Sequence, residues 1–135
     1  MTSRQAVVER TALEVGGAFA RAYAEGDFER VRELVAPGVL ERQINPGGYI
    51  ELRGPDELIA EARDFTGRYG QPEVLELTTE TAGLLVRVLN RWRLHWQGQP
   101  VLCDFYELLR IEAGRVAQID LVCSGVLPEA AAERG

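Results

Sequence analysis

Between Leu84 and Cys123 apolar and polar side chains alternate with a period of two over three successive stretches, the pattern of half-buried strands. In residues 84–96 the even positions Leu84, Val86, Val88, Asn90, Trp92, Leu94 and Trp96 share a face, and Arg87, Arg91, Arg93 and His95 occupy the other. In 101–111 the apolar face holds Val101, Cys103, Phe105, Leu109 and Ile111 with Glu107 set among them, against Asp104, Tyr106 and Arg110. In 115–124 Ala117, Ile119, Leu121 and Cys123 oppose Val116, Gln118, Asp120 and Val122. Two tight turns join these three into an antiparallel unit with one enclosed apolar side.

The front of the chain changes period. Residues 2–25 carry an apolar stripe every three to four positions, through Val7, Val8, Leu13, Val15, Phe19 and Tyr23, which predicts a helix. Gly16-Gly17 inside it points to close packing against the sheet. Gly26 reads as a left-handed cap and Asp27 as the N-cap of a second helix over 28–35, stopped by Pro37-Gly38. Residues 39–45 alternate as a strand, with Leu40, Arg42 and Ile44 on the face expected to point inward and Glu41, Gln43 and Asn45 on the other. A Pro46-Gly47-Gly48 turn leads to a short strand at 49–53. Gly54-Pro55-Asp56 opens a third helix with Leu58, Ile59, Ala62 and Phe65 on one side, and a further strand spans 73–81. The core is expected over about 5–125, with a frayed tail at 126–135.

Helices first and long strands last give an α+β class in which helices cover one face of a curved antiparallel sheet. Three segments carry a family resemblance: Phe19-x-x-x-Tyr23-x-x-Gly26-Asp27-Phe28, the run from Leu52 to Ile59 (LRGPDELI), and the run from Leu108 to Val116 (LLRIEAGRV). They make the chain similar to the nuclear transport factor 2-like superfamily, a cystatin-like α+β roll shared by ketosteroid isomerases, scytalone dehydratase, limonene epoxide hydrolase and SnoaL-like polyketide cyclases. The resemblance implies a single cone-shaped domain over 1–135, enclosing an apolar pocket.

Composition narrows the partners. The chain has 135 residues, a net charge of -6 and 46% hydrophobic residues. An acidic balance argues against nucleic acid and anionic membrane, which need clustered Lys and Arg. No apolar run reaches the roughly 20 residues of a bilayer span, and the N-terminus has no signal-peptide pattern, so a cytoplasmic location is expected. One histidine and two cysteines without Cys-x-x-Cys spacing predict no metal site, and no organic cofactor is implied; Cys103 and Cys123 read as buried thiols.

Candidate chemistry follows from the polar residues set in apolar faces. Glu107 between Phe105 and Leu109, and Arg42 between Leu40 and Ile44, are the expected catalytic pair. Desolvation would lift the carboxyl into the range of a general acid or base, and the guanidinium would stabilise an oxyanion. Tyr23, Phe19, Asn90, Trp92, Phe105 and Ile119 are the expected substrate-binding wall. Measured against the isomerases of the superfamily, the helix-one tyrosine falls on Phe19, the first-strand aspartate nearest to Arg42, and the second acid on Glu107. The expected activity is a cofactor-independent cyclase, isomerase or lyase acting on a hydrophobic carbonyl or hydroxyl compound. The alternative is a non-catalytic ligand-binding or dimerisation module. Arg87, Arg91, Arg93 and His95 are expected to form a charge ladder with Glu76, Glu80 and Asp104 on an outer face through which a homodimer would pair.

Overall fold

The structure, a computed structural model, describes residues 3–130, and the side chains of residues 5–10 are not described. Three helices precede or interrupt six strands: α1 (Ser3–Glu25), α2 (Phe28–Leu34), β1 (Val35–Asn45), β2 (Gly48–Arg53), α3 (Gly54–Tyr69), β3 (Glu73–Ala82), β4 (Leu85–Trp96), β5 (Gln99–Glu112) and β6 (Arg115–Pro128). The strands form one unclosed curved sheet in the order β2-β1-β6-β5-β4-β3. Every neighbouring pair is antiparallel except β1 and β6, which run parallel. The helices fill the concave side, an α+β cone.

Local chemistry explains the element ends. Gly26 takes a φ of 73°, and the Asp27 side chain accepts from the Arg30 N–H at 3.2 Å, capping α2. The hairpin turns between β4, β5 and β6 place Gln97-Gly98 and Ala113-Gly114 at positive φ; two successive positive φ angles match the right-handed twist of the strands they join. Gly16 sits where a Cβ would lie 2.7 Å from Val86 Cγ1, so α1 seats directly on β4, as its glycine pair predicts. Val7 and Val8 of the expected stripe lie outside the described side chains.

The alternation read from β4, β5 and β6 holds over 86–94, 101–109 and 119–121. At the ends it fails: Leu84 and Trp96, expected inward, are 67% and 43% exposed, and Val116, expected outward, is buried beside the register shift at Arg110 and Ile111. Val86, Val88, Asn90, Trp92 and Leu94 are buried, as are Val101, Cys103, Phe105, Glu107 and Leu109, with Ile119 and Leu121. Their core partners on the helices include Phe19, Val31, Leu58 and Ile59. Burying such aliphatic and aromatic side chains contributes roughly 1.5–3 kcal/mol each. The opposite face carries part of the expected ladder: Arg87 pairs with Glu80 and Arg91 with Asp104 at 2.8 Å. Arg93 pairs instead with Glu73 at 2.9 Å, and among the described residues neither His95 nor Glu76 joins an ion pair.

Three further expectations are corrected. Pro37-Gly38 does not stop α2: the helix ends at Leu34, where Val35 turns extended (φ -101°, ψ 149°), and Pro37-Gly38 lies inside β1. There the pairing with β6 slips between Val35 and Leu40, an irregularity that absorbs a residue without an N–H. The tail is ordered further than expected, since Val126, Leu127 and Pro128 pair with Cys103, Leu102 and Val101. Glu129 accepts from Arg93 at 2.7 Å; residues 131–135 lie outside the described part. The third correction concerns the faces of β1. Val35, Val39, Glu41 and Gln43 are buried, while Arg42 and Ile44 are exposed.

Candidate functional site

The concave face encloses one open cavity of about 510 Å³. Tyr23 of α1 and Glu61, Phe65, Arg68 and Tyr69 of α3 form its helical side. On the sheet side it is lined by Gln43 and Asn45 of β1, Trp92 of β4, Cys103 and Phe105 of β5, and β6 from Leu121 onward. The aromatic rings form a continuous surface. Tyr23 stacks on Trp92 with centroids 5.9 Å apart, Trp92 meets Phe105 edge-on at 4.7 Å, and Phe65 lies against both Tyr69 and Trp92 at 4.9 and 6.3 Å. Such offset and edge contacts add about 0.5–1.5 kcal/mol per pair beyond area burial.

Strand periodicity locates a second ring of side chains beneath this lining. Two residues deeper along each strand, Gln43 gives way to Glu41, Leu121 to Ile119, Phe105 to Glu107 and Trp92 to Asn90; these are neighbours on one face. One turn down α1, Tyr23 gives way to Phe19, whose ring lies 5.9 Å from that of Tyr23. All five members of the deeper ring are 2% exposed or less.

Two of those five are carboxyls without a cation. Glu107 Oε1 accepts from the Asn90 amide at 3.3 Å, and Glu107 Oε2 has no partner. Glu41 Oε2 accepts from the Gln43 amide, and Glu41 Oε1 has no partner. Trp92 Nε1 is also buried without an acceptor. Burial, reinforced by the Glu41 charge, pushes Glu107 up to about 8, with the Asn90 hydrogen bond opposing. Burial pushes Glu41 up to about 7, opposed by Gln43 and reinforced by Glu61. The Tyr23 hydroxyl is raised well above the ordinary phenol range, by desolvation first and then by the charges of Glu41, Glu107, Glu61 and Cys103. A desolvated carboxyl resists ionisation, and two in one site resist it further. The deeper ring therefore favours the protonated form of both carboxyls.

Measured against expectation, the structure unites Tyr23, Trp92 and Phe105 in the cavity wall. It sets Phe19, Asn90, Glu107 and Ile119 in the ring beneath. Arg42 is excluded from the site: it projects from the outer face, where its Nε donates to Asp120 Oδ1 at 2.7 Å and its side chain is 44% exposed. A desolvated guanidinium without an inward partner is costly, whereas Asp120 stands opposite Arg42 in the parallel register. The residue sequence reasoning missed is Glu41, one position away. The signal was present in Val35 and Val39, which share the odd parity of Glu41 and Gln43 and are 1% exposed. Among the described residues no cluster of three or more His, Cys, Asp or Glu side chains could hold a metal ion. No described helix is long and apolar enough to cross a membrane.

Curved sheet, three helices and enclosed cavity define the nuclear transport factor 2-like class. Residues 17–119 match the SnoaL-like domain, and the chain belongs to that family. Solved structures agree on the fold. A candidate polyketide cyclase from Xanthomonas campestris superposes with a TM-score of 0.72 at 12% identity, covering 85% of this chain and 91% of that one. A hypothetical protein with a ketosteroid isomerase-like fold from Catenulispora acidiphila, in complex with trimethylamine, gives 0.70 at 17% identity over 83% and 86%. An epoxide hydrolase from M. tuberculosis resembling limonene epoxide hydrolase gives 0.67 at 17% identity over 86% and 84%. No protein with a curated description matches the chain in sequence.

Proposed function

We propose that the protein is a cofactor-independent acid–base enzyme of SnoaL-like type, a cyclase, isomerase or lyase acting on a small apolar carbonyl or hydroxyl compound. The observation that supports this reading is the pair of buried carboxyls, Glu41 and Glu107, each with one oxygen unpartnered and no cation beside it, below an aromatic cavity. Each unsatisfied buried polar atom costs about 1–3 kcal/mol, so packing alone does not favour two such oxygens. Near neutral pH Glu41 at about 7 is poised to accept a proton, while Glu107 at about 8 holds one. Glu41 removes a proton next to the substrate carbonyl. Glu107 and the Tyr23 hydroxyl donate hydrogen bonds to the oxygen as negative charge develops on it. Tyr23, Trp92 and Phe105 hold the apolar body of the substrate. The chain functions as a homodimer joined through the outer sheet face, where Ile44, Tyr49, Tyr106 and Val122 are each more than half exposed.

The test is proton exchange. Small steroid-like and polyketide-like ketones that raise the melting temperature are incubated with the protein in D₂O, and deuterium at the carbon next to the carbonyl is followed by NMR. Exchange that depends on Glu41 and Glu107 supports the reading; stabilisation without exchange overturns it. A second reading, a ligand-binding module of the same fold, is favoured by one observation: the two carboxyls lie one ring below the side chains that line the cavity. Stabilisation without exchange is its expected result.

A further inference from the structure

The cavity wall carries a second reactive feature that the acid–base chemistry does not use. Cys103 and Cys123 are both free and both line the cavity, with their sulfur atoms 3.4 Å apart. Their spacing of twenty residues does not foretell this contact, which lies beside a β-bulge. Phe105 pairs with Cys123 and Cys103 pairs with Val126, so Ser124 and Gly125 together face Asp104. One strand therefore has an extra residue, which bends it and increases its twist. The bulge is held on several sides. The Asp104 N–H donates to Ser124 Oγ at 3.0 Å, and the Ser124 hydroxyl donates to the Gly125 carbonyl at 2.8 Å. Gly125 adopts a φ of 81° and lies so close to the β1–β2 turn that a Cβ would sit 2.8 Å from Pro46 Cγ. Despite the extra residue, both thiols remain on the inner face.

We propose that Cys103 and Cys123 form a redox-active dithiol site in the cavity wall, which a peroxide converts to an intramolecular cross-strand disulfide. A disulfide bond is about 2.05 Å long, so the sulfurs must close by about 1.4 Å from their 3.4 Å separation. The two thiols are not equivalent. Cys123 is half-buried, accepts from the Gly125 N–H at 3.3 Å and lies in hydrogen-bond contact with the Cys103 thiol. These contacts, that with Cys103 first, bring Cys123 down to about 7 against the effect of burial. Cys103 is 2% exposed and is pushed far up by its contact with Cys123 and by burial. Cys123 is thus the attacking thiolate and Cys103 the resolving thiol.

The steps balance. The Cys123 thiolate attacks the terminal oxygen of a hydroperoxide; the O–O bond breaks, sulfur gains a hydroxyl, and the alkoxide takes a proton from water or the Cys103 thiol. The Cys103 sulfur, its proton lost, attacks the sulfenic sulfur and expels hydroxide, which leaves as water. Two thiols and one hydroperoxide become one disulfide, one alcohol and one water. The site rests on the bulge and the cavity wall, not on the carboxyls beneath.

The test uses the reduced full chain and hydrogen peroxide. Intact mass should fall by two hydrogens, and peptide mapping should link Cys103 to Cys123 within one chain. Cys103→Ser should stop at a sulfenic acid captured by a dimedone probe. Cys123→Ser should consume peroxide at least about fivefold more slowly. Labelling of the unmodified protein with iodoacetamide, which needs no variant to fold, should mark Cys123 before Cys103. Persistence of both thiols in excess peroxide, a disulfide found only between chains, or equal labelling rates would each overturn the proposal.

Discussion

The two faces of one sheet treat charge in opposite ways. On the convex face arginines and carboxylates alternate across strands: Arg42 with Asp120 at 2.7 Å, Arg91 with both oxygens of Asp104 at 2.8 and 3.0 Å, and Arg93 between Glu73 and Glu129. On the concave face Glu41 and Glu107 have only amide donors, Gln43 and Asn90. Glu41 and Arg42 are adjacent in sequence and belong to different regimes. Outside, water already solvates each ion, so a pair adds little. Inside, burial strips each carboxyl of bulk solvation and, among the described residues, no Lys or Arg side chain pairs with it, and the carboxyl responds by holding its proton. Pairing marks where charge is cheap; unpaired carboxyls mark where proton affinity has been tuned.

The largest expected break of this contrast is Glu107→Gln. It should lower deuterium exchange into a bound ketone by about 100-fold or more, while raising the melting temperature at pH 8, because the amide never has to ionise in an apolar site. Loss of exchange together with a lower melting temperature would instead return Glu107 to a structural role. Next comes the pH dependence of stability. Both carboxyls bind protons more tightly folded than unfolded. Their contribution is fully present below about 4.5 and is lost as pH climbs through about 7 and then about 8. Urea melts from pH 4.5 to 9 should show a decline on the order of a few kcal/mol, flattened in the Glu41→Gln, Glu107→Gln double variant. A wild-type profile already flat over that range would contradict the buried-proton account. Asn90→Leu should cost about 1–3 kcal/mol and move the upper step of that profile to higher pH, since Asn90 supplies the one hydrogen bond that opposes the rise of Glu107. The smallest effect belongs to the outer face. Arg42→Met should leave the urea midpoint almost unchanged, and about 1 M NaCl should erase any difference; a clear loss that persists in salt would mean that the convex pairs do structural work.

Legibility in the sequence followed the same division. Where three strands run consecutively, turn residues and alternation agree, and most of the inward set, including Glu107, was readable; Val116 is the exception, because the register shift at Arg110 and Ile111 turns it inward. β1 was not, because its face is set by where α2 ends. With Pro37-Gly38 taken as the stop, the parity linking Val35 and Val39 to Glu41 was lost, and the apolar Leu40 and Ile44 argued for the wrong side. Ile44 is in fact 56% exposed. Residues contributed by α3 to the cavity, Glu61 and Tyr69, were hidden for another reason. A helix face near a cavity mouth is half-buried, so its composition differs little from that of a surface. The parallel pairing of β1 with β6 has no local signature at all, since it joins segments whose partners, such as Arg42 and Asp120, lie 78 positions apart.

That parallel pairing bears on how the protein is made. Until the last strand emerges, β1 lacks its central neighbour, and the first half of the chain consists of three helices and a two-stranded ribbon, too small to be stable alone. Loop closure over so many residues must precede the contacts that reward it, so the sheet closes late and slowly for a chain of this size. During synthesis the polypeptide waits with an open strand edge. Truncations within β6 should therefore yield aggregation-prone chains, not smaller folded domains.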